Sequence, residues 1–104
     1  MTQFDVHLNP NPATRKAIPY LLDVQVDLLD TLATRVIVPL ITEEAMGLAA
    51  RHFNPQFNVE GVSVIMSTAE LAGVPSRSLG DKVASLKNKR DEIIAALDLL
   101  FTGI

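Results

Sequence analysis

The stretch KNKRDEIIAALDLLFTGI, residues 87–104, decides how the rest of this 104-residue chain is read. Ile93, Ile94, Leu97, Leu100 and Phe101 recur at helical spacing and form one apolar stripe. Asp91 and Glu92 stand near the start, where negative charge suits the helix dipole; Lys87, Lys89 and Arg90 beside them do not. Gly103 follows the last apolar turn, where helices commonly close in a left-handed residue. Thr102, Gly103 and Ile104 remain as a short tail. The spacing predicts a helix laid on a core and capped by the glycine, with Ile104 touching back on the last turn. It also allows a helix whose end is held out for a partner, and periodicity alone does not choose between the two.

Upstream of that helix the chain reads mostly as strands. Residues 35–41 (RVIVPLI) are a nearly continuous run of branched apolar residues, which predicts a buried strand; Pro39 marks an edge, a bulge or its end. Before it, residues 18–29 alternate: Tyr20, Leu22, Val24, Val26 and Leu28 face one way, Leu21, Asp23, Gln25, Asp27 and Leu29 the other. Residues 1–8 alternate too, with Phe4, Val6 and Leu8 inward and Gln3, Asp5 and His7 outward, as in a half-buried strand. Asn9-Pro10-Asn11-Pro12 stops that strand and makes an exposed hairpin tip. After the central run, Thr42-Glu43-Glu44 has the chemistry of a helix start, and a short helix or compact loop follows through Met46, Ala49 and Ala50. Phe57 and Val59, then Val62, Val64 and Met66, predict two short strands about a Glu60-Gly61 turn. Residues 67–74 are ambiguous between a helical turn and extended backbone, and residues 76–81 read as a turn leading into the last helix. Strands first and one helix last predict a small antiparallel barrel or sheet with a helix laid against it.

The length fits one domain, residues 1–104. Apolar residues make up 48% and charged residues 20%, a composition that folds. A net charge of −3 argues against non-specific nucleic-acid binding, which needs a basic face, but suits a basic protein pocket. The absence of cysteine removes disulfides, thiolate catalysis and thiolate metal sites, and suits a cytoplasmic protein. No basic-then-apolar leader opens the sequence, and its apolar runs fall far short of the roughly 20 residues that a membrane helix needs.

Catalytic chemistry is sparse. His7 and His52 are the two histidines, and neither has a second metal ligand at a useful offset. No Gly-rich phosphate loop, nucleophile elbow or zinc motif is present, so no cofactor and no metal is expected. Asp23 and Asp27 share one strand face, an arrangement open to acid–base work. With no partner beside them in sequence, a solvated or interface face is the expected reading. Nothing here requires an enzyme.

An ordered set of stretches then carries a resemblance. MTQFDV (1–6), LDVQVDLLDT (22–31), RVIVPL (35–40), the segment from Thr68 to Val74-Pro75, and DEIIAALDLLFTGI (91–104) resemble the CcdB family of bacterial plasmid toxins, in order and across essentially the whole chain. The match is poorest over residues 9–17 and 42–61. The resemblance implies a mainly β fold, an SH3-like antiparallel barrel with a small additional sheet and a C-terminal helix, assembled as a homodimer. It implies a type II toxin that binds the A subunit of DNA gyrase and traps it on cleaved DNA, by binding rather than catalysis. It also implies a CcdA-type antitoxin whose disordered segment folds onto the toxin. By position, the gyrase-facing residues would be Thr102, Gly103 and Ile104, with Asp98 one turn earlier and Leu28 and Leu29 nearby. The antitoxin groove would be bordered by Leu8 and by Met46, Ala49, Ala50 and Val64. One departure stands out: the best-known form of the pattern has a tryptophan where this chain has Thr102.

Two other classes remain open at the level of sequence. The related Kid and MazF toxins are ribonucleases on a similar barrel, and Asp23, Asp27 and Arg35 are the residues such chemistry would use here. A non-toxic homologue that only binds antitoxin would carry a dispensable tail.

Overall fold

The structure, a computed structural model, describes residues 2–50 and 52–103. It is mostly antiparallel β-sheet, curled into a half-barrel, with one long C-terminal helix. The strands are β1 (Asp5–Leu8), β2 (Tyr20–Asp23), β3 (Thr34–Thr42), β4 (Gln56–Val59), β5 (Val62–Met66), β6 (Ala72–Pro75) and β7 (Lys82–Ser85). A one-turn helix α1 (Glu43–Met46) follows β3, and α2 (Arg90–Thr102) closes the fold. The strand order is β4-β5-β3-β2-β1-β7, with β6 also paired to β3.

The nine-residue β3 is the hub. One edge pairs with β2, and the other is shared: Arg35 and Val36 face Val74 and Gly73 of β6, while Leu40 and Ile41 face Met66 and Ile65 of β5. Pro39 lies inside this strand rather than at its end. Ser67 donates its backbone N–H to the Pro39 carbonyl, so the proline's missing N–H falls on the shared edge where partners change.

The core lies between the sheet and α2. Val6, Leu22, Val38, Leu40, Val64 and Met66 from the sheet meet Leu86, Ile93 and Ala96. The β4–β5 hairpin turns at Glu60 and Gly61, both with positive φ (52° and 79°), a mirror-image turn that matches the strand twist. Thr42 caps α1 by accepting from the Ala45 N–H at 3.4 Å, and Gly47, at φ 69°, ends it.

Several expectations are corrected. The strand expected over residues 1–8 begins at Asp5, after a turn in which both carboxylate oxygens of Asp5 accept from Thr2, and Met1 lies outside the described residues. Its supposed outward residues Asp5 and His7 are buried, while Leu8 is exposed. The strand expected over residues 18–29 ends at Asp23, because the Asp23 Oδ1 accepts from the Gln25 N–H at 2.9 Å and turns the chain. Beyond it Asp27–Leu29 form a single 3₁₀ turn. Residues 82–85, just past the expected turn segment, form β7. In α2, Ile93 and Ala96 are buried and Ile94 and Leu97 pack against the core, but Phe101 is 68% exposed.

Candidate functional site

Two exposed regions hold the described residues of the first expected contact set. The first is the end of α2. The helix runs past the last core residue, so Asp98, Phe101, Thr102 and Gly103 stand in solvent. Gly103 adopts φ 74° and donates its N–H to the Leu99 carbonyl at 3.0 Å, the left-handed close that a glycine makes without strain. The Thr102 hydroxyl donates to the Asp98 carbonyl at 2.7 Å. That hydroxyl is thus spent on the helix's own backbone, and the methyl group is what Thr102 presents outward. Ile104, the expected tip, lies outside the described residues.

No basic residue occupies the last turn of α2, and Asp98 sits one turn from its negative dipole end. A carboxylate there is mildly unfavourable to the helix itself. It is suited to a cationic partner.

The second region is the loop between β2 and β3. Leu28 is 86% exposed, and Val26, Leu29 and Leu32 are all more than a third exposed. Four large apolar side chains on one short loop are costly to leave in water. Gln25 holds this loop in shape. Its buried side chain donates from Nε2 to the Leu29 carbonyl at 2.8 Å and accepts at Oε1 from the Val36 N–H at 3.0 Å. From the other side, the Gln3 N–H donates to Asp27 Oδ1 at 2.7 Å, and Gln3 Nε2 donates to the Val24 carbonyl at 3.1 Å. Asp27 lies in a small cleft with Gln3, Phe4, Lys87 and Arg90, at the root of α2.

The second expected set is only partly superficial. Leu8, Ala49 and Ala50 are exposed and Met46 is half-buried. Val64 is 0% exposed and belongs to the core; the assignment of its side chain to a surface contact is corrected. Ala49 borders a broad groove of about 1010 Å³ between residues 49–56 and α2, where Asp91, Glu92, Ala95 and Leu99 face His52, Pro55 and Ile65. Asn54 shapes its floor, accepting from the Ala50 N–H and donating to the Met66 carbonyl, both at 3.1 Å.

The Asp23, Asp27 and Arg35 set does not converge on an accessible site. Asp23 and Arg35 are both 0% exposed and paired with each other, whereas Asp27 is on the surface loop. Both Nε (2.8 Å) and Nη2 (2.7 Å) of Arg35 approach the same oxygen, Asp23 Oδ2. Only Nε–H has hydrogen-bond geometry, so the Nη2 contact is ionic. Burial pushes the Asp23 carboxyl above its ordinary range and outweighs the Gln25 N–H, Arg35 and His7, which pull it down. Such a pair fastens β2 to β3 and has no room for a phosphate.

Sequence reasoning missed Gln25, Val26, Leu32 and Leu48, the last of them fully exposed. The signal for the loop leucines was present: Asp-x-Gln is a strand-ending turn, and apolar residues after it have no sheet to cover them. Among the described residues no helix is long and apolar enough to cross a membrane. Comparison with protein families matches the chain to the model described as CcdB protein over residues 3–103.

Proposed function

The chain belongs to the CcdB family, the toxin side of a toxin–antitoxin system, and from that premise we propose that it binds the A subunit of DNA gyrase and traps it on cleaved DNA. The observation that carries this reading is the overhang of α2: its last turn extends beyond the core with Asp98, Phe101, Thr102 and Gly103 in solvent. The exposed apolar loop at Val26, Leu28, Leu29 and Leu32 supplies a second contact region, for gyrase or for a second copy of the chain in a homodimer.

The action is binding, not catalysis. Two helix ends from a dimer enter the open gyrase interface, the Asp98 carboxylate meets cationic groups, and Thr102, Gly103 and Ile104 make the tail contact. A trapped cleavage complex then blocks replication. A CcdA-type antitoxin segment lies along Leu8, Met46, Ala49 and Ala50 and competes by ordering on binding. The groove that begins at Ala49 and runs under Asp91 and Ala95 connects this surface to the helix, which supports displacement rather than independent binding.

The test is a cleavage assay with supercoiled plasmid, gyrase and ATP, followed by detergent and protease, with an RNA substrate in parallel. Linear DNA that disappears when Gly103 and Ile104 are deleted is the expected result. Linear DNA that persists in the deleted protein removes the tail from the mechanism. Cleaved RNA with intact DNA replaces the proposal by a ribonuclease, and neither product leaves an antitoxin-binding homologue.

A further inference from the structure

The turn ahead of β1 holds a strained residue. Phe4 is 2% exposed and packs in the main core, yet its φ is 71°. Bulky residues avoid that region of backbone space, and those held there cluster where a neighbouring group must be aimed. Strand register shows what the strain produces. The pairing of His7 with Leu21 sets Asp5 opposite Asp23. The Asp5 N–H is instead turned back to the Thr2 carbonyl at 3.1 Å, and the Phe4 N–H takes the Asp23 carbonyl at 2.6 Å. Phe4 and Asp5 thus share one partner on β2. This is a β-bulge, a device that re-aims the side chains beside it.

Gln3, half-buried, is the residue so aimed. Its main-chain N–H donates to Asp27 Oδ1 at 2.7 Å, and its Nε2 donates to the Val24 carbonyl at 3.1 Å. Val24 and Asp27 stand on either side of Val26, and Asp27 opens the 3₁₀ turn that carries Leu28 and Leu29. Leu28 is 86% exposed, so packing does not hold it. Gln25 ties this loop to β3; Gln3 ties it to the turn ahead of β1.

The same bulge holds the root of α2. The Phe4 carbonyl accepts from the Leu86 N–H at 2.8 Å, and the chain enters Lys87–Lys89 and α2 directly afterwards. Two consecutive residues therefore anchor the exposed loop and the helix whose far end is the other exposed region.

We propose, resting on the gyrase reading, that Gln3 is a positioning residue for the gyrase contact: the Phe4 bulge aims it across the loop, and its two N–H groups hold Leu28 and Leu29 in one arrangement relative to α2. Gln3 itself need not touch the partner. A loop that must be re-ordered on binding loses affinity, and a loop already braced does not.

The test is Gln3→Met in the full chain, which keeps the side chain's length and removes its donor. Hydrogen exchange reads the brace. The amides of Leu29, Asp30 and Leu32, whose bonds close the loop, should exchange roughly 2- to 12-fold faster, the range for one hydrogen bond. Asp27→Ala should speed the same amides, and Asp27→Asn, which keeps an acceptor oxygen, should not. Gyrase cleavage reads the contact. The concentration of folded protein that gives half-maximal linear DNA should rise by a similar factor with the plateau unchanged. In a Leu28→Ala protein the Gln3→Met effect should shrink, because part of what Gln3 positions is gone.

Unchanged exchange at the three amides overturns the proposal, as does an undiminished Gln3→Met effect in the Leu28→Ala protein. Linear DNA from the parent with the same midpoint in Gln3→Met overturns it and leaves the gyrase reading standing. No linear DNA from the parent overturns the gyrase reading and the role of Gln3 in it, and exchange alone then decides whether Gln3 braces the loop.

Discussion

Asp23 and Arg35 face each other across adjacent strands with no solvent contact on either side chain, their charged groups 2.7–2.8 Å apart. Breaking such a pair from one side leaves a buried charge, whereas replacing both halves by apolar groups is often close to neutral. Asp23→Ala and Arg35→Ala are each expected to cost about 3–5 kcal/mol. The double change Asp23→Leu with Arg35→Met should cost far less than the sum of the two alanine changes. Urea unfolding of the set checks this; additive losses would mean that the two residues act independently.

Asp5 gives an acid-side prediction. Burial raises its carboxyl, but the Thr2 backbone, the Thr2 hydroxyl and Lys82 together bring it below the ordinary value of 3.8. A carboxyl depressed in the folded state stabilises above its unfolded value, and that contribution is lost as pH falls through the folded one. Asp5→Asn should therefore be less stable than the parent by about 1 kcal/mol at neutral pH, the worth of a typical hydrogen bond. The gap should close below about pH 4. Asp23 has the opposite sign: its raised carboxyl gains a proton in the folded state first, so stability rises as pH drops through that value. Thermal melts of both proteins against pH separate the two, and a gap that widens in acid would contradict the Asp5 geometry.

Gln25→Ala should act on the exposed leucines rather than on the fold alone. It orphans the Val36 N–H and frees the Leu29 carbonyl, at about 1–3 kcal/mol for a buried group left unsatisfied. Under conditions where the variant is fully folded, its gyrase cleavage per molecule should still fall, because Val26 to Leu32 no longer hold one shape. Unchanged cleavage would show that this loop is not a contact.

Thr102→Trp should strengthen poisoning. Threonine's hydroxyl is committed to the Asp98 carbonyl, whereas an indole stacked on a guanidinium is worth about 0.5–2 kcal/mol. The expected gain in gyrase affinity is roughly 2- to 30-fold, read by titrating linear DNA product. No gain would mean that the partner presents no cation at this position.

The broad architecture was legible because it rested on strong local signals. RVIVPLI is buried, Glu60-Gly61 is a hairpin turn, and Gly103 closes the last helix. What failed, failed where tertiary context overrides period. The alternation from Tyr20 continues in sequence through Leu28, but the Asp23 side chain turns the backbone and the later apolar residues lose their sheet. Asp5 and His7 have the polarity of a solvent face and are nonetheless buried, Asp5 against Thr2 and Lys82 and His7 against the Gly80 carbonyl. β7 itself, KVAS, is too short and mixed to announce a strand. Phe101 keeps helical phase with Ile93 and Ile94, but phase says nothing about where the core stops. The candidate contact residues came from family resemblance; physics supplied their exposure, and the Gln25 brace that shapes one group of them was unseen.

The place of Pro39 bears on misassembly. A long, flat, apolar strand invites neighbours to slide along it, and a slip of one residue turns every side chain to the wrong face. On the edge that β5 and β6 share, β3 has a missing donor midway, with Thr68–Glu70 looped out opposite it. Neither strand can be extended past that point without losing a ladder bond. The proline thus acts as a stop that fixes where each neighbour must end, and it denies a foreign strand an uninterrupted template on that edge.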